Sequence, residues 1–268
     1  MSPLLTLFVI AVLGLIVGSF LNVVILRFDT GLSMVRGRSR CFSCNHDLSW
    51  YELLPLFSFI FQLGKCRHCG SRISWQYPLV ELSTALLFVF SFSRAASVGL
   101  SLPFTIALAA LISLIMAIIV VIFVYDIRHK IIPDFFSYLL ACAALALSAA
   151  SDFRGIGYSL LAALAFFLFF WAFWYFSKGT WMGLGDAKLA VSVGLLLGLS
   201  GGTVALLFAF WSGAIVALLL LIWDKISSRK VGISMKSEIP FAPFIIFGFI
   251  VVFFSGIDLG TLSSWLAI

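Results

Sequence analysis

The chain has 268 residues, 63% of them hydrophobic and only 10% charged, with a net charge of +6 and a mean hydropathy of +1.18. Soluble domains average about 45–50% apolar and about 25% charged residues. No water-soluble chain of this length can hide so much apolar surface, so most of it is solvated by lipid and a soluble enzyme or binding protein is excluded.

The first apolar run, Leu4 to Leu26, is too long for the apolar stretch of a signal peptide. It has no basic segment before it and no clear small-x-small cleavage site, so it reads as a retained anchor. Spanning a bilayer takes roughly 20 apolar residues in a helix. Eight such runs follow one another at about 3–26, 77–93, 102–125, 134–150, 156–176, 186–199, 203–223 and 239–257, the sixth of them short. They are continuously apolar, without the alternation of lipid-facing strands, which favours helices over a barrel. The fold expected is an all-α polytopic membrane protein of about eight transmembrane helices. The spacings of Gly14 with Gly18 and Gly194 with Gly198 suit close helix packing.

Eight spans sort the basic residues sharply. Arg27, Arg36, Arg38, Arg40, Lys65, Arg67, Arg72, Arg128, Lys130, Lys178, Lys188, Lys225, Arg229, Lys230 and Lys236 fall on one side, and only Arg94 and Arg154 on the other. Positively charged loops stay in the cytoplasm, so both termini are expected outside and the basic loops inside. Anionic lipid headgroups then account for the net charge, and no nucleic acid partner is needed.

Residues 27–76 form the one segment large enough to fold outside the membrane. It carries Cys41-Phe-Ser-Cys44 and Cys66-Arg-His-Cys69, with 21 residues between the pairs. Two such knuckles read as a four-cysteine zinc site, because each offers two thiolates on one side of a tight turn. A reducing cytoplasm makes disulfides the poorer reading. Four sulfur ligands leave no open position, so this Zn2+ is expected to be structural in a small zinc-ribbon-like loop domain. The apolar stretch Leu53 to Phe61, with Trp50 and Tyr51, is expected to lie on the membrane face or on the helices. His46 and His68 read as surface residues, and Cys142 as inert packing within a span.

Of eleven acidic residues, Asp29, Asp47 and Glu52 belong to the loop. Asp152 and Asp258 fall in outer turns, and Asp224 pairs with Lys225 at a span end. Glu81, Asp126, Asp134, Asp186 and Glu238 remain, all at the cytoplasmic boundary. Asp126 directly follows an apolar run and precedes Arg128-His129-Lys130. Asp186 stands in Gly183-Leu-Gly-Asp-Ala-Lys188 at the start of the sixth run. The two share one face of the bilayer and one depth. Paired carboxylates about 3 Å apart share a proton, which supplies both a base for water and an acid for a carbonyl. Helix capping explains Asp134 after Pro133 and competes for Asp186. Asp126, at a helix C-terminus, sits where the helix dipole disfavours an acid. The glycines flanking Leu184 would let a substrate backbone approach. A transporter would place its acids near the midplane, whereas these line one edge.

Seven stretches, in order along the chain, resemble the bacterial type IV prepilin peptidases. They are Gly18-Ser-Phe-Leu-Asn-Val-Val-Ile25, the double Cys-x-x-Cys loop, Trp50-Tyr-Glu-Leu-Leu-Pro55, Tyr77-Pro-Leu-Val-Glu81, Asp126-Ile-Arg-His-Lys-Ile-Ile-Pro-Asp134, Gly183-Leu-Gly-Asp-Ala-Lys188 and Ile239-Pro-Phe-Ala-Pro-Phe244. Ala242, where glycine is expected, and Trp181, before the Gly-x-Gly-Asp, depart from the pattern. The resemblance implies an inner-membrane aspartic endopeptidase that removes a short basic leader from prepilins and type II secretion pseudopilins by cutting after glycine. It implies Asp126 and Asp186 as the catalytic pair. It also implies methylation of the new N-terminal amine from S-adenosylmethionine, tied to residues 1–95, with peptidase function in residues 96–268. Glu81, Glu52 and Asn22 are the polar groups near that edge and are the cofactor candidates.

Overall fold

The computed structural model describes residues 2–226 and 240–266. Arg229, Lys230, Lys236, Glu238 and Ile239 lie outside the described residues, as does the side chain of Lys225. Among the described residues the structure is helical, with nine α-helices, one 3-10 turn and two isolated bridge pairs in place of any strand. The chain divides into two compact units, Met1–Val121 and Ile122–Ile268, and α4 (Leu102–His129) passes from one into the other.

In the first unit, α1 (Pro3–Arg27) starts at a Ser2 cap with proline at its first position, where the missing N–H costs nothing. It packs along α3 (Gln76–Ala96) on its two small residues. A Cβ on Gly14 would sit 2.6 Å from the Cα of Ala85, and one on Gly18 2.7 Å from the Cα of Glu81. Backbone approach of this kind is what holds helices together where lipid removes the hydrophobic drive. Phe8, Val9, Leu13 and Ile16 on the remaining surface of α1 are exposed, as suits a lipid-facing side. Between α1 and α3 lie the cysteine loop, a 3-10 turn at Trp50–Leu53 and the five-residue α2 (Phe57–Phe61).

The second unit holds α5 (Asp134–Ser151), α6 (Ile156–Ser177), α7 (Leu184–Ile226), α8 (Ala242–Ser255) and α9 (Leu259–Leu266). The sixth and seventh apolar runs are continuous helix in α7, interrupted only at Gly198, whose φ of 63° and ψ of −169° are not helical. Gly194 does serve close packing, since its Cβ would lie 2.5 Å from Ala163 backbone, but a Cβ on Gly198 would meet nothing within 4 Å and this glycine serves as the break. Neighbouring contacts show that the chain reverses there. Along α5, Asp134 meets Lys188, and Ala144 joins Leu195 in one apolar cluster, so α5 runs parallel to the first half of α7. Along α6, Phe166 meets Gly202 and Phe170 meets Phe210, so α6, which returns from α5, runs parallel to the second half. α8 packs against that second half in the opposite sense, Phe244 by Gly213 and Val252 by Gly201.

Among the described residues six helices are long and apolar enough to cross a membrane, and α8, at 14 residues, is a shorter apolar one. The expected all-helical polytopic fold is thus present. The eight runs are spread over seven elements because two of them share α7. Cys142 is exposed on α5, and so is not packing within the unit.

Candidate functional site

Asp126 stands in the last turn of α4 and is 4% exposed. Lys130, at φ 55°, ends the helical path, its N–H donating to the Asp126 carbonyl at 2.7 Å. The Asp126 carboxylate Oδ2 is buried with no hydrogen-bond partner among the described residues. Leaving a buried polar group unpaired costs about 1–3 kcal/mol, and more for a charged one. Nothing local offsets that cost at a helix C-terminus.

Asp186 is the third residue of α7 and is also buried. The Asp186 N–H donates to the Gly183 carbonyl at 3.2 Å, and the Gly183 N–H lies on the side of the Asp186 carboxylate, an arrangement close to one half of a capping box. A carboxylate has a second oxygen, and the cap leaves it free for other work. Asp126 and Asp186, 60 residues apart in sequence, are brought near enough to interact electrostatically.

Asp134 does not cap α5. Pro133 occupies that position and Asp134 is the first helical residue, making no side-chain cap bond. Its carboxylate instead pairs with Lys188 Nζ, two residues beyond Asp186. The two glycines around Leu184 also differ. Gly183 is open, since a Cβ placed on it would meet nothing closer than 3.9 Å, whereas one on Gly185 would lie 2.9 Å from Ile132 Cβ. Gly185 therefore admits the protein's own Ile132, not a substrate backbone. Sequence reasoning does not single out Lys188 or Ile132 as site residues; the motif carrying Lys188 and the eight-residue step from Asp126 to Asp134 are the available signals. Trp181 is 75% exposed just ahead of Gly183, and Ala242 is fully buried at the start of α8.

Glu81, Asn22 and Glu52 all lie in the first unit and each has internal partners. Glu81 Oε2 accepts the Leu56 N–H at 2.8 Å, and Ser19 bonds the same carboxylate. Asn22, 1% exposed, donates to the carbonyls of Gly18 (3.3 Å) and Tyr77 (3.2 Å) and accepts from Gln76 at 3.3 Å. Glu52 closes a capping box, accepting the Ser49 N–H at 2.9 Å. The amide of Asn22 and the carboxylate of Glu52 are thereby committed to holding α1, α3 and the 3-10 turn.

The cysteine loop is built from one turn used twice, 25 residues apart. Cys41 and Cys66 N–H groups donate to His46 and Ser71 carbonyls, and Asn45 and Gly70 N–H groups return to Cys41 and Cys66. Asn45 (φ 56°) and Gly70 (φ 71°) take the left-handed conformation that closes each turn. Bridges Arg40 to Asp47 and Lys65 to Arg72 flank the two knuckles. Together they gather Cys41, Cys44, Cys66 and Cys69 so that all four Sγ atoms lie within 4.8 Å of one another, Cys41 and Cys69 at 3.8 Å. A tetrahedral ion with metal–sulfur bonds of about 2.3 Å needs sulfurs about 3.8 Å apart. N–H groups of Cys44 and Ser43 push the Cys41 thiol down to about 6, and the Ser71 hydroxyl lowers Cys69. Against an N–H from His46, desolvation and the neighbouring thiols push Cys44 up to about 11. Four thiolates this close repel unless a cation sits among them. The cluster can hold a metal ion. The His46 and His68 rings lie 3.6 Å apart across the knuckles, tilted by 32° to each other. The apolar stretch beyond them stays open, with Trp50, Phe57, Ile60 and Phe61 all exposed.

A cavity of about 290 Å³ between α7 and α8 is lined by Phe210, Gly213, Ala214, Ala217, Phe241 and Phe244. Its lining among the described residues is apolar.

Residues 12–95 match the family model described as the bacterial peptidase A24 N-terminal domain, and residues 112–218 match the type IV leader peptidase family. A Myxococcus xanthus protein named prepilin leader peptidase/N-methyltransferase is 38% identical over 82% of this chain and 64% of its own length. A Bacillus subtilis protein of the same name is 33% identical over 92% of this chain and 94% of its own. One from Xanthomonas campestris is 31% identical, covering 92% and 90%. The chain thus spans just under two thirds of the Myxococcus relative and nearly all of the Bacillus one. No solved structure matches it.

Proposed function

The chain belongs to the type IV leader peptidase family, and on that premise we propose that it is a membrane aspartic endopeptidase which trims prepilins and pseudopilins and then methylates the new N-terminus. The observation that carries the reading is that Asp126 and Asp186, both buried, come within electrostatic reach of each other from two helix ends far apart in sequence. One carboxylate, ionised, takes a proton from water as the water oxygen bonds the scissile carbonyl carbon. The other, protonated, donates to the carbonyl oxygen. Collapse of the tetrahedral adduct breaks the C–N bond and returns a proton to the leaving amine. The products are a leader carboxylate, ending in glycine, and a free pilin N-terminus.

Both acids sit at helix ends, which supports a cut at the membrane edge. There the basic leader stays at the cytoplasmic surface of the bacterial inner membrane while the apolar pilin segment remains in lipid. The fifteen-to-two sorting of basic residues supports cytoplasmic loops, periplasmic termini and contact with anionic lipids. Cys41, Cys44, Cys66 and Cys69 would hold Zn2+, which ties the two knuckles into one domain and takes no part in chemistry.

S-adenosylmethionine, when bound, supplies an electrophilic methyl group. Of the three candidate residues Glu81 is the one assigned a role beside it, as a buried carboxylate carried on the spanning helix α3 with lone pairs beyond the Leu56 and Ser19 bonds. It would accept the proton that the pilin amine loses on methylation. Asn22 and Glu52, held by their own bonds, would shape this edge rather than touch the cofactor. Both activities are tested by incubating the purified protein with a prepilin and labelled S-adenosylmethionine and weighing the products. A leader-free, methylated pilin is expected. Uncut precursor would reject the peptidase reading, and a cut but unmethylated pilin the second activity.

A further inference from the structure

The dyad reading leaves unexplained how Asp186 is held in register with Asp126. α7 is entered through residues 178–183, where Lys178 and Gly179 both have positive φ and Trp181 and Gly183 are exposed; residues 178–181 are tied back to the end of α6, and the Gly183 carbonyl accepts the Asp186 N–H at 3.2 Å. A helical first turn also has N–H groups with no intrahelical partner, and helix ends fray. Two contacts on the other side bracket Asp186. One residue before it, Gly185 receives the buried side chain of Ile132. Two residues after it, Lys188 Nζ pairs with Asp134 and lies 5.5 Å from the centre of the Tyr138 ring, one turn further along α5. Both Ile132 and Asp134 belong to the short stretch that begins at Asp126. Lys130 turns the chain with φ 55°, Pro133 is buried with its φ fixed by its ring, and α5 starts at Asp134.

We infer that Asp134 and Lys188, with Ile132 seated on Gly185, form a clamp that sets Asp186 in place against Asp126, making Asp134 and Lys188 positioning residues for peptide cleavage. The inference rests on the dyad reading. The clamp grips α7 on both sides of the acid and is anchored a few residues from the other acid. The separation of the two carboxylates is therefore fixed by eight residues of local chain rather than by the sixty between them. Lys188, its side chain only 20% exposed, lays its stem against the protein and carries its charge out to the carboxylate. Neither residue touches the reacting atoms.

The test measures kcat and KM for prepilin cleavage by the purified full chain, alongside its melting temperature. Asp134→Asn and Lys188→Met are expected to lower kcat by about tenfold to a hundredfold, the scale on which misplacing a reacting group is felt, with KM and melting temperature close to those of the parent. Lys188→Arg, whose guanidinium still reaches the carboxylate, should keep most of kcat. The exchanged double variant Asp134→Lys with Lys188→Asp should recover activity above either single variant. Gly185→Ala tests the other contact without altering a charge and should lower kcat in the same way. Unchanged kcat in the single variants overturns the clamp. So does an exchanged variant no better than the singles, or a kcat loss that merely follows the melting temperature across the series. Should Lys188→Met not fold, the comparison of Lys188→Arg with Lys188→Gln decides by the same criteria. Asp186→Asn serves as the control on the underlying reading: if it cleaves normally, the dyad assignment falls, and if it is inactive while the clamp variants are normal, only the clamp falls.

Discussion

Asp126 and Asp186 show how much a single residue's placement can say. An aspartate at the end of α4 has no capping reward, an unpaired buried oxygen and a second carboxylate within electrostatic reach. Asp126→Asn and Asp186→Asn should each lower cleavage by about 10²–10⁴-fold, the usual worth of a general acid or base, without loss of helicity. Mass analysis of the prepilin reads the first, circular dichroism the second, and efficient cleavage by either variant would remove it from the pair. Glu81→Gln makes a sharper distinction. Glutamine can still accept the Leu56 N–H through its carbonyl oxygen, so the loop contact survives and only the charge is lost. Cut but unmethylated pilin is expected; loss of both products would make Glu81 a structural residue. The acids and the cysteines are legible in the sequence because ionisable groups are rare in this chain and each can be weighed. Asp134 reads as a cap from its neighbours alone because its partner, Lys188, lies 54 residues away, beyond the reach of local pattern.

Among the elements, α1 and α3 depend on glycine, and α7 depends on one for a different reason. Gly18→Leu would force side-chain atoms into the Glu81 backbone, 2.7 Å from the new Cβ. Separation of α1 from α3 should lower the melting temperature and reduce methylation more than cleavage, since Glu81 and Asn22 lie on that seam. Equal loss of both activities would speak against a separate methylation edge. Gly198→Ala has room for its methyl, yet φ of 63° with ψ of −169° is a region that only glycine enters freely. Strain of about 1–3 kcal/mol is expected at that corner, measurable as a lowered thermal midpoint. Apolar length read from sequence locates each of these helices well. It cannot tell that the sixth and seventh runs join, because a helix interior glycine and a reversal glycine look alike without their φ.

For the whole chain, metal content links the loop to function. The parent protein should carry about one zinc, and a Cys41→Ser, Cys66→Ser double variant close to none, because two of four ligands are lost. Methylation should fall further than cleavage in that variant; metal retained at the parent level would mean that other groups bind it. A dyad variant, conversely, should fail on intact prepilin yet methylate a pilin whose N-terminus is already free. The amino-acid sequence by itself determined that the chain lives in lipid, that it is helical, which residues are charged in costly places and that four thiols pair as two knuckles. These follow from composition and from spacings of a few residues, which bond geometry converts directly into shape. Only the tertiary structure decided that α7 doubles back at Gly198, that Gly185 receives Ile132, that Asp134 holds Lys188 and that Asp126 and Asp186 come within electrostatic reach of each other. Those contacts join residues distant along the chain, and their partners are chosen by how whole helices pack, a choice that local pattern does not encode.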